Sequence, residues 1–151
     1  MLRTRMAALL VLISAPALAA GDLSRQEPIE VVVELGRPGA PHAFAPNKIE
    51  LETGKLYKLV LRNMSDLPHY FTSHEFSQHI FTRKVQVVAK NQTLAEFKGA
   101  IREIEVYPGH SAEWWLVPIA TGRLTDLKCG IRGAGGKTHA EHGMVGEIVI
   151  R

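Results

Sequence analysis

Cysteine is nearly absent from this 151-residue sequence, which contains a single one, Cys129. One cysteine excludes a disulfide within the chain and any binuclear site built on two thiolates. The G-x-S-x-G motif of serine hydrolases is also missing. These absences argue against the common exported enzyme classes, and we expect a protein without catalytic residues.

Long apolar runs are likewise missing beyond the N-terminus. The chain begins with a basic segment, Met1–Arg5, followed by an apolar run, Met6–Ile13, and by Ala17-Leu18-Ala19. This order is typical of a secretory signal peptide, and the apolar run is too short to span a membrane as a helix. We therefore predict a signal peptide over residues 1–19, export to the periplasm and no membrane span.

A basic block is the third missing feature. Without Arg3 and Arg5 of the predicted signal peptide, the 18 basic residues fall to 16, against 15 acidic ones. A nearly balanced chain gives no support to nucleic-acid binding. About 130 residues remain, which suffices for one domain. We expect a lead-in over residues 20–28, one domain over 29–151, and a monomer.

Short β-branched runs separated by turn residues give this domain an all-β pattern. Tyr57, Leu59 and Leu61 alternate with Lys58 and Arg62, which indicates a strand with one buried face. The predicted strands cover residues 29–35, 55–63, 101–106, 112–117, 123–129 and 145–150, and residues 44–51 lead to a turn signal, Thr53-Gly54. About seven to eight such strands with turns between them predict a Greek-key β-sandwich.

Residues 72–100 fit this pattern less well. Val85–Val88 is a candidate short strand, whereas Thr93–Lys98 (TLAEFK) is predicted to form one or two helical turns. We therefore expect an irregular excursion from one sheet edge around 72–100.

The one cysteine shares its part of the chain with other soft metal ligands. Alternation along 123–129 places Thr125, Leu127 and Cys129 on one face, so the thiol is expected to point into the sandwich. His139 and Met144 follow with H-x4-M spacing. Thiolate, imidazole and thioether together favour copper. His69, in a loop after the strand ending at Asn63, is the candidate second imidazole of a site for one copper ion.

Other assignments of these residues stay open. A single inward cysteine is most often a small core residue, and a buried methionine is most often a gap filler. His142 competes with His139, and we prefer His139 because its H-x4-M spacing lets the imidazole and the thioether converge on one ion. His74 and His79 could form an auxiliary site, although solvent-facing loop residues are the simpler assignment.

The chain resembles the cupredoxins, the blue copper domain family, over about residues 29–151. The resemblance rests on Phe44-Ala-Pro46, on Leu59–Asn63 leading to His69, and on Cys129 followed by His139-Ala-Glu-His-Gly-Met144-Val-Gly146. It implies a type 1 copper ion held by His69, Cys129, His139 and an axial Met144. It also implies electron transfer with a redox partner protein.

Two departures from the family pattern bear on function. Nine residues (GIRGAGGKT) separate Cys129 from His139, which makes a long and glycine-rich ligand loop. Many cupredoxins carry asparagine directly after the first histidine, where this chain has Tyr70, and Asn63 could replace it. A flexible ligand loop and extra histidines favour copper sequestration, tolerance or carriage as the alternative function. His-x-His pairs for further copper ions, as in multicopper oxidases, are absent.

Overall fold

Two β-sheets form the body of the protein. The structure is a computed structural model that describes residues 26–90 and 92–151, so the predicted signal peptide lies outside the described residues. The strands of the first sheet are β1 (Ile29–Arg37), β2 (Ala40–Ala45), β4 (Tyr57–Arg62), β6 (Ile80–Ala89), β7 (Gln92–Phe97) and β9 (Ser111–Pro118). Those of the second are β3 (Lys48–Leu51), β5 (His69–Thr72), β8 (Glu103–Val106), β10 (Gly122–Lys128) and β11 (Val145–Ile150).

The chain passes repeatedly between the two sheets. The spatial orders are β2-β1-β4-β9-β6-β7 and β3-β11-β10-β5-β8, so most sequence neighbours do not pair. The β1–β4 and β3–β11 pairs are parallel, and the other pairs are antiparallel. The predicted β-sandwich is confirmed, with eleven strands in the described residues rather than seven or eight.

The segment 72–100 is more regular than predicted. A short helix, α1 (His74–His79), leads into the β6–β7 hairpin, which extends the first sheet. The helical prediction for Thr93–Lys98 is therefore wrong, because Gln92–Phe97 is a strand. This strand lies at the sheet edge and its side chains are mostly exposed, so it lacks the alternation that marks a half-buried strand.

Aromatic side chains fill the space between the sheets. Trp114 packs edge-on against Phe71 and Phe76, with ring centroids 6.3 and 5.4 Å apart. Phe76 comes from α1, whose N-cap Ser73 accepts a hydrogen bond from the Phe76 amide at 3.1 Å. Such edge-to-face contacts stabilise a core beyond the area that they bury. They fix α1 against the end of β5.

A β-bulge changes the phase of β10. The register with β11 shifts between Leu124 and Leu127, and both leucines are buried while Thr125 is exposed. The prediction that Thr125 shares a face with Leu127 and Cys129 is therefore wrong, because the extra residue reverses the alternation. Cys129, just after the strand, is nevertheless buried.

Within the described residues, no helix is long and apolar enough to cross a membrane.

Candidate metal centre

Three potential metal ligands converge at one end of the sandwich. His69 is the first residue of β5, and alternation along this strand turns it inward together with Phe71. Cys129 follows β10 directly, and His139 precedes a 3-10 helix, Ala140–His142. All three side chains are buried. The structure therefore brings together the two imidazoles and the thiol that the sequence predicts.

The three donor atoms form a compact triangle. The Nδ1 atoms of His69 and His139 lie 3.1 Å apart, and the Cys129 sulfur lies 3.8 and 3.4 Å from them, respectively. The point equidistant from these three atoms is about 2.0 Å from each, close to a metal–nitrogen distance of about 2.0–2.1 Å and a metal–thiolate distance of ~2.3 Å. One ion can therefore contact all three atoms with only small movements.

Met144 belongs to the same hydrogen-bonded segment. Its side chain is fully buried. The Cys129 amide donates to the Met144 carbonyl at 3.1 Å, and the Met144 amide donates to the His139 carbonyl at 2.9 Å. The backbone thus links the predicted thioether ligand to two of the other ligands, just before β11 begins.

Burial keeps the donor atoms uncharged in the absence of metal. Desolvation, helped by the neighbouring His139 and His42, lowers the pKa of His69 to about 4. Burial and the neighbouring His42 and His142 also lower the pKa of His139. Burial raises the pKa of Cys129, and backbone amides of Ile131 and Tyr70 partly offset this effect. The imidazoles are therefore neutral at pH 7, and the thiol loses its proton when a cation replaces it.

The donor set fits one type 1 copper ion. Two imidazoles and a thiolate in a trigonal arrangement, with a weak axial thioether, are the ligands of blue copper sites. Among the described residues, His69, Cys129 and His139 are the only group of three such side chains close enough to hold a metal.

The long ligand loop is held by its own hydrogen bonds. The Gly133 amide donates to the Lys137 carbonyl at 2.9 Å, and the Arg132 guanidinium donates to the Gly136 carbonyl at 2.7 Å. The His139 amide donates to the Ile131 carbonyl at 2.8 Å. The nine residues between Cys129 and His139 therefore form a small hairpin that these hydrogen bonds close.

Asn63 and Tyr70 form hydrogen bonds close to His69, the first of the two clustered histidines. The Asn63 side-chain amide donates to the carbonyls of Leu67 and Val106, which ties the loop before His69 to β8. The Tyr70 amide donates to the Cys129 sulfur at 3.3 Å. Asn63 thus ties the loop before His69 to β8, as the sequence allowed, but its own side-chain contacts do not reach the Cys129–His139 loop.

His42 is a site neighbour that sequence reasoning missed. Its ring lies 4.5 Å from that of His139 and stacks on His142 with centroids 5.0 Å apart. The three histidines border a surface cavity of about 400 Å³ together with Leu67 and Ile131. Only the β1–β2 hairpin brings His42 here, and no local motif marks it.

The remaining histidines lie away from this cluster. His79 uses Nδ1 to contact the Glu75 carbonyl at 2.8 Å within α1, and His74 contacts Gln78. His110 contacts the Pro108 carbonyl at 2.8 Å in a turn. These contacts are those of surface residues. His142, the competing imidazole, is exposed, whereas His139 is in the cluster.

Comparison with known proteins gives the fold. No family model matches the sequence, and no curated protein matches it significantly. A multicopper oxidase from Campylobacter jejuni has a TM-score of 0.52 and 16% identity over 83% of this chain, which spans 30% of that oxidase. Auracyanin A, a blue copper protein from Chloroflexus aurantiacus, has a TM-score of 0.49 and 13% identity, covering 83% of this chain and 100% of its own.

Auracyanin B is a further similar structure, with a TM-score of 0.48 and 14% identity over 83% of this chain and 91% of its own. The two-sheet sandwich of this chain and its likeness to part of the oxidase, with a TM-score above 0.5, point to the same fold. The chain therefore has the fold of the cupredoxins.

Proposed function

We propose that this chain is an exported mononuclear copper protein of the cupredoxin family. His69, Cys129 and His139 would hold one copper ion, and Met144 would be the fourth, weaker ligand. The observation that carries this proposal is the buried triangle of donor atoms, with sides of 3.1 to 3.8 Å. Because these atoms already face one another, little rearrangement accompanies binding.

We propose electron transfer as its activity, without catalysis, in the periplasm. Bound copper supplies a one-electron couple, and the chain holds the same ligands around either oxidation state. The β-sandwich fixes His69 and Cys129, and the hydrogen-bonded loop fixes His139, so the cage changes little between states. Such rigidity lowers the reorganisation energy of each electron transfer.

A redox partner would dock beside His139. This residue borders the surface cavity, together with the apolar side chains of Leu67, Pro68 and Ile131. Small, partly apolar contacts suit the transient encounters of electron-transfer proteins. We expect the protein to act as a monomer and to meet its partner at this end.

Two ligand substitutions test the copper site. Cys129→Ser should abolish the coloured Cu(II) form, because the visible band needs a thiolate. Met144→Leu should leave copper bound with an altered reduction potential, since the axial ligand tunes the potential. Met64→Leu is the matched control, because Met64 is 49% exposed and is not a predicted ligand. Colour retained in Cys129→Ser would refute the ligand assignment.

Copper handling is the second candidate function, and the stacked pair of His42 and His142 favours it. These imidazoles line the same surface cavity as His139, where they could pass an ion to or from the buried ligands. The test is the rate at which a chelator removes Cu(I) from wild type and from His42→Ala/His142→Ala. A large change in rate, together with reduced copper tolerance of a deletion strain, would favour handling over electron transfer. Unchanged rates and tolerance would count against it.

A further inference from the structure

A buried serine contacts the outer nitrogen of the first histidine. The Ser65 hydroxyl lies 2.8 Å from Nε2 of His69, while Nδ1 of the same ring faces Cys129 and His139. Ser65 is 7% exposed. A neutral imidazole carries one proton, on either nitrogen, and only the bare nitrogen can bind a metal. A proton held on Nε2 therefore leaves Nδ1 free to bind a metal.

Asn63 determines which way the hydroxyl points. Its side-chain nitrogen lies 2.7 Å from the Leu67 carbonyl and 2.8 Å from the Val106 carbonyl. Since a carbonyl oxygen only accepts hydrogen bonds, the amide nitrogen must face these two groups. The amide oxygen then faces Ser65, where it accepts from the backbone N–H and from the hydroxyl, both at 2.9 Å.

The Ser65 hydroxyl has one proton and two pure acceptors to receive it. These are the Asn63 amide oxygen at 2.9 Å and the Leu67 carbonyl at 3.1 Å. The Leu67 amide donates to the same hydroxyl at 3.2 Å. With its proton directed to either acceptor, the hydroxyl oxygen presents a lone pair to Nε2 of His69. This arrangement favours a proton on Nε2.

We propose that Ser65, oriented by Asn63, is a positioning residue that holds His69 as the Nε2–H tautomer and so presents the Nδ1 lone pair to the metal. Two backbone carbonyls, of Leu67 and Val106, thus determine the protonation of a metal ligand through two side chains. The proposal rests on the proposed function only for the identity of the metal, because the tautomer is a property of the metal-free protein.

The first test needs neither copper nor a variant. Nitrogen-15 NMR of the metal-free, histidine-labelled protein at pH 7 should show His69 with its proton on Nε2. Ser65→Ala should give a mixture of both tautomers. Ser73→Ala is the matched control, because Ser73 is an equally buried serine at the N-terminus of α1, and its variant should keep the wild-type tautomer. A dominant Nδ1–H form in the wild type would overturn the proposal.

The second test measures metal affinity. Loss of a partner that orients a ligating histidine typically costs about 10–100-fold in affinity. We expect Ser65→Ala to bind Cu(I) about 10–100-fold more weakly than the wild type, Ser65→Thr to recover most of this loss, and Ser73→Ala to bind normally. Equal affinities for Ser65→Ala and Ser73→Ala would contradict the proposal. Should the wild type bind no copper, the proposed function fails, while the NMR result still decides this inference.

Discussion

Gly36 tests most sharply how the fold leaves space for the proposed metal centre. It lies at a bulge in β1 with φ +69°, a region that other residues rarely adopt. A Cβ atom there would lie 2.6 Å from Nε2 of His69, 2.6 Å from the Pro41 carbonyl oxygen and 2.9 Å from the Ser65 Cβ. The Pro41 oxygen is backbone of β2 and cannot move without disturbing the hairpin. Gly36→Ala should therefore strain the backbone and crowd the ligand.

Gly39 is the matched control for this prediction. It has φ +80°, but a Cβ atom there would meet nothing within 4 Å. Gly39→Ala should lower the unfolding free energy only by the backbone strain, about 1–2 kcal/mol. Gly36→Ala should cost the same strain and a further ~1–3 kcal/mol for overpacking.

The assay is urea unfolding of the metal-free variants, followed by tryptophan fluorescence. The difference in unfolding free energy between Gly36→Ala and Gly39→Ala separates the effect of steric crowding from that of backbone strain. Copper titration of the same variants should show weaker binding for Gly36→Ala alone, since only this substitution displaces the His69 ring. Equal stabilities and equal copper affinities would refute the reasoning.

Three further predictions concern stability. Burial lowers the pKa of His69 to about 4 in the folded protein. As pH falls below about 6.5, this imidazole therefore binds a proton in the unfolded chain but stays neutral in the folded protein. The unfolding free energy of the metal-free protein should therefore fall by about 3 kcal/mol as pH falls from 6.5 to 4, and that of His69→Gln should fall by less. Equal pH profiles of the two proteins in urea unfolding would contradict this. Trp114→Ala should lower the unfolding free energy by about 3–5 kcal/mol and Trp115→Ala by about 1 kcal/mol. The reason is that Trp114 is 1% exposed, whereas Trp115 lies on the outer face near Lys58 and Lys84. Similar losses for the two variants on urea unfolding would be inconsistent with this packing. Ser73→Ala should lower the unfolding free energy by ~1 kcal/mol through loss of the helix cap. The copper spectrum should not change, because Ser73 is not a predicted ligand, and an altered spectrum would contradict this.

The sequence predicts the fold where one face of a strand is buried. Along β4, alternation of apolar and charged residues indicates both the strand and its inner face, because the pleat has a period of two. The same reasoning fails along β7, whose side chains are mostly exposed, and in β10, where a bulge reverses the phase at Thr125. Edge strands and bulges depend on pairing with distant strands, which local patterns do not encode.

The candidate site shows the same division. Cys129 and His139 are recognisable because scarcity and spacing mark them, and His69 follows from its place after a predicted strand. His42 and Ser65 carry no such signal. Their roles come from the β1–β2 hairpin and from a loop that Asn63 braces through hydrogen bonds, and both depend on tertiary structure.

Titration of the purified protein with Cu(II), followed by visible absorption and EPR, tests the central claim most directly. The account predicts one equivalent of bound copper with an intense thiolate-to-copper band, because the Cys129 sulfur lies within 3.8 Å of both imidazole nitrogens. Copper bound without that band would contradict a type 1 site and favour sequestration. No binding at all would make Cys129 a core residue.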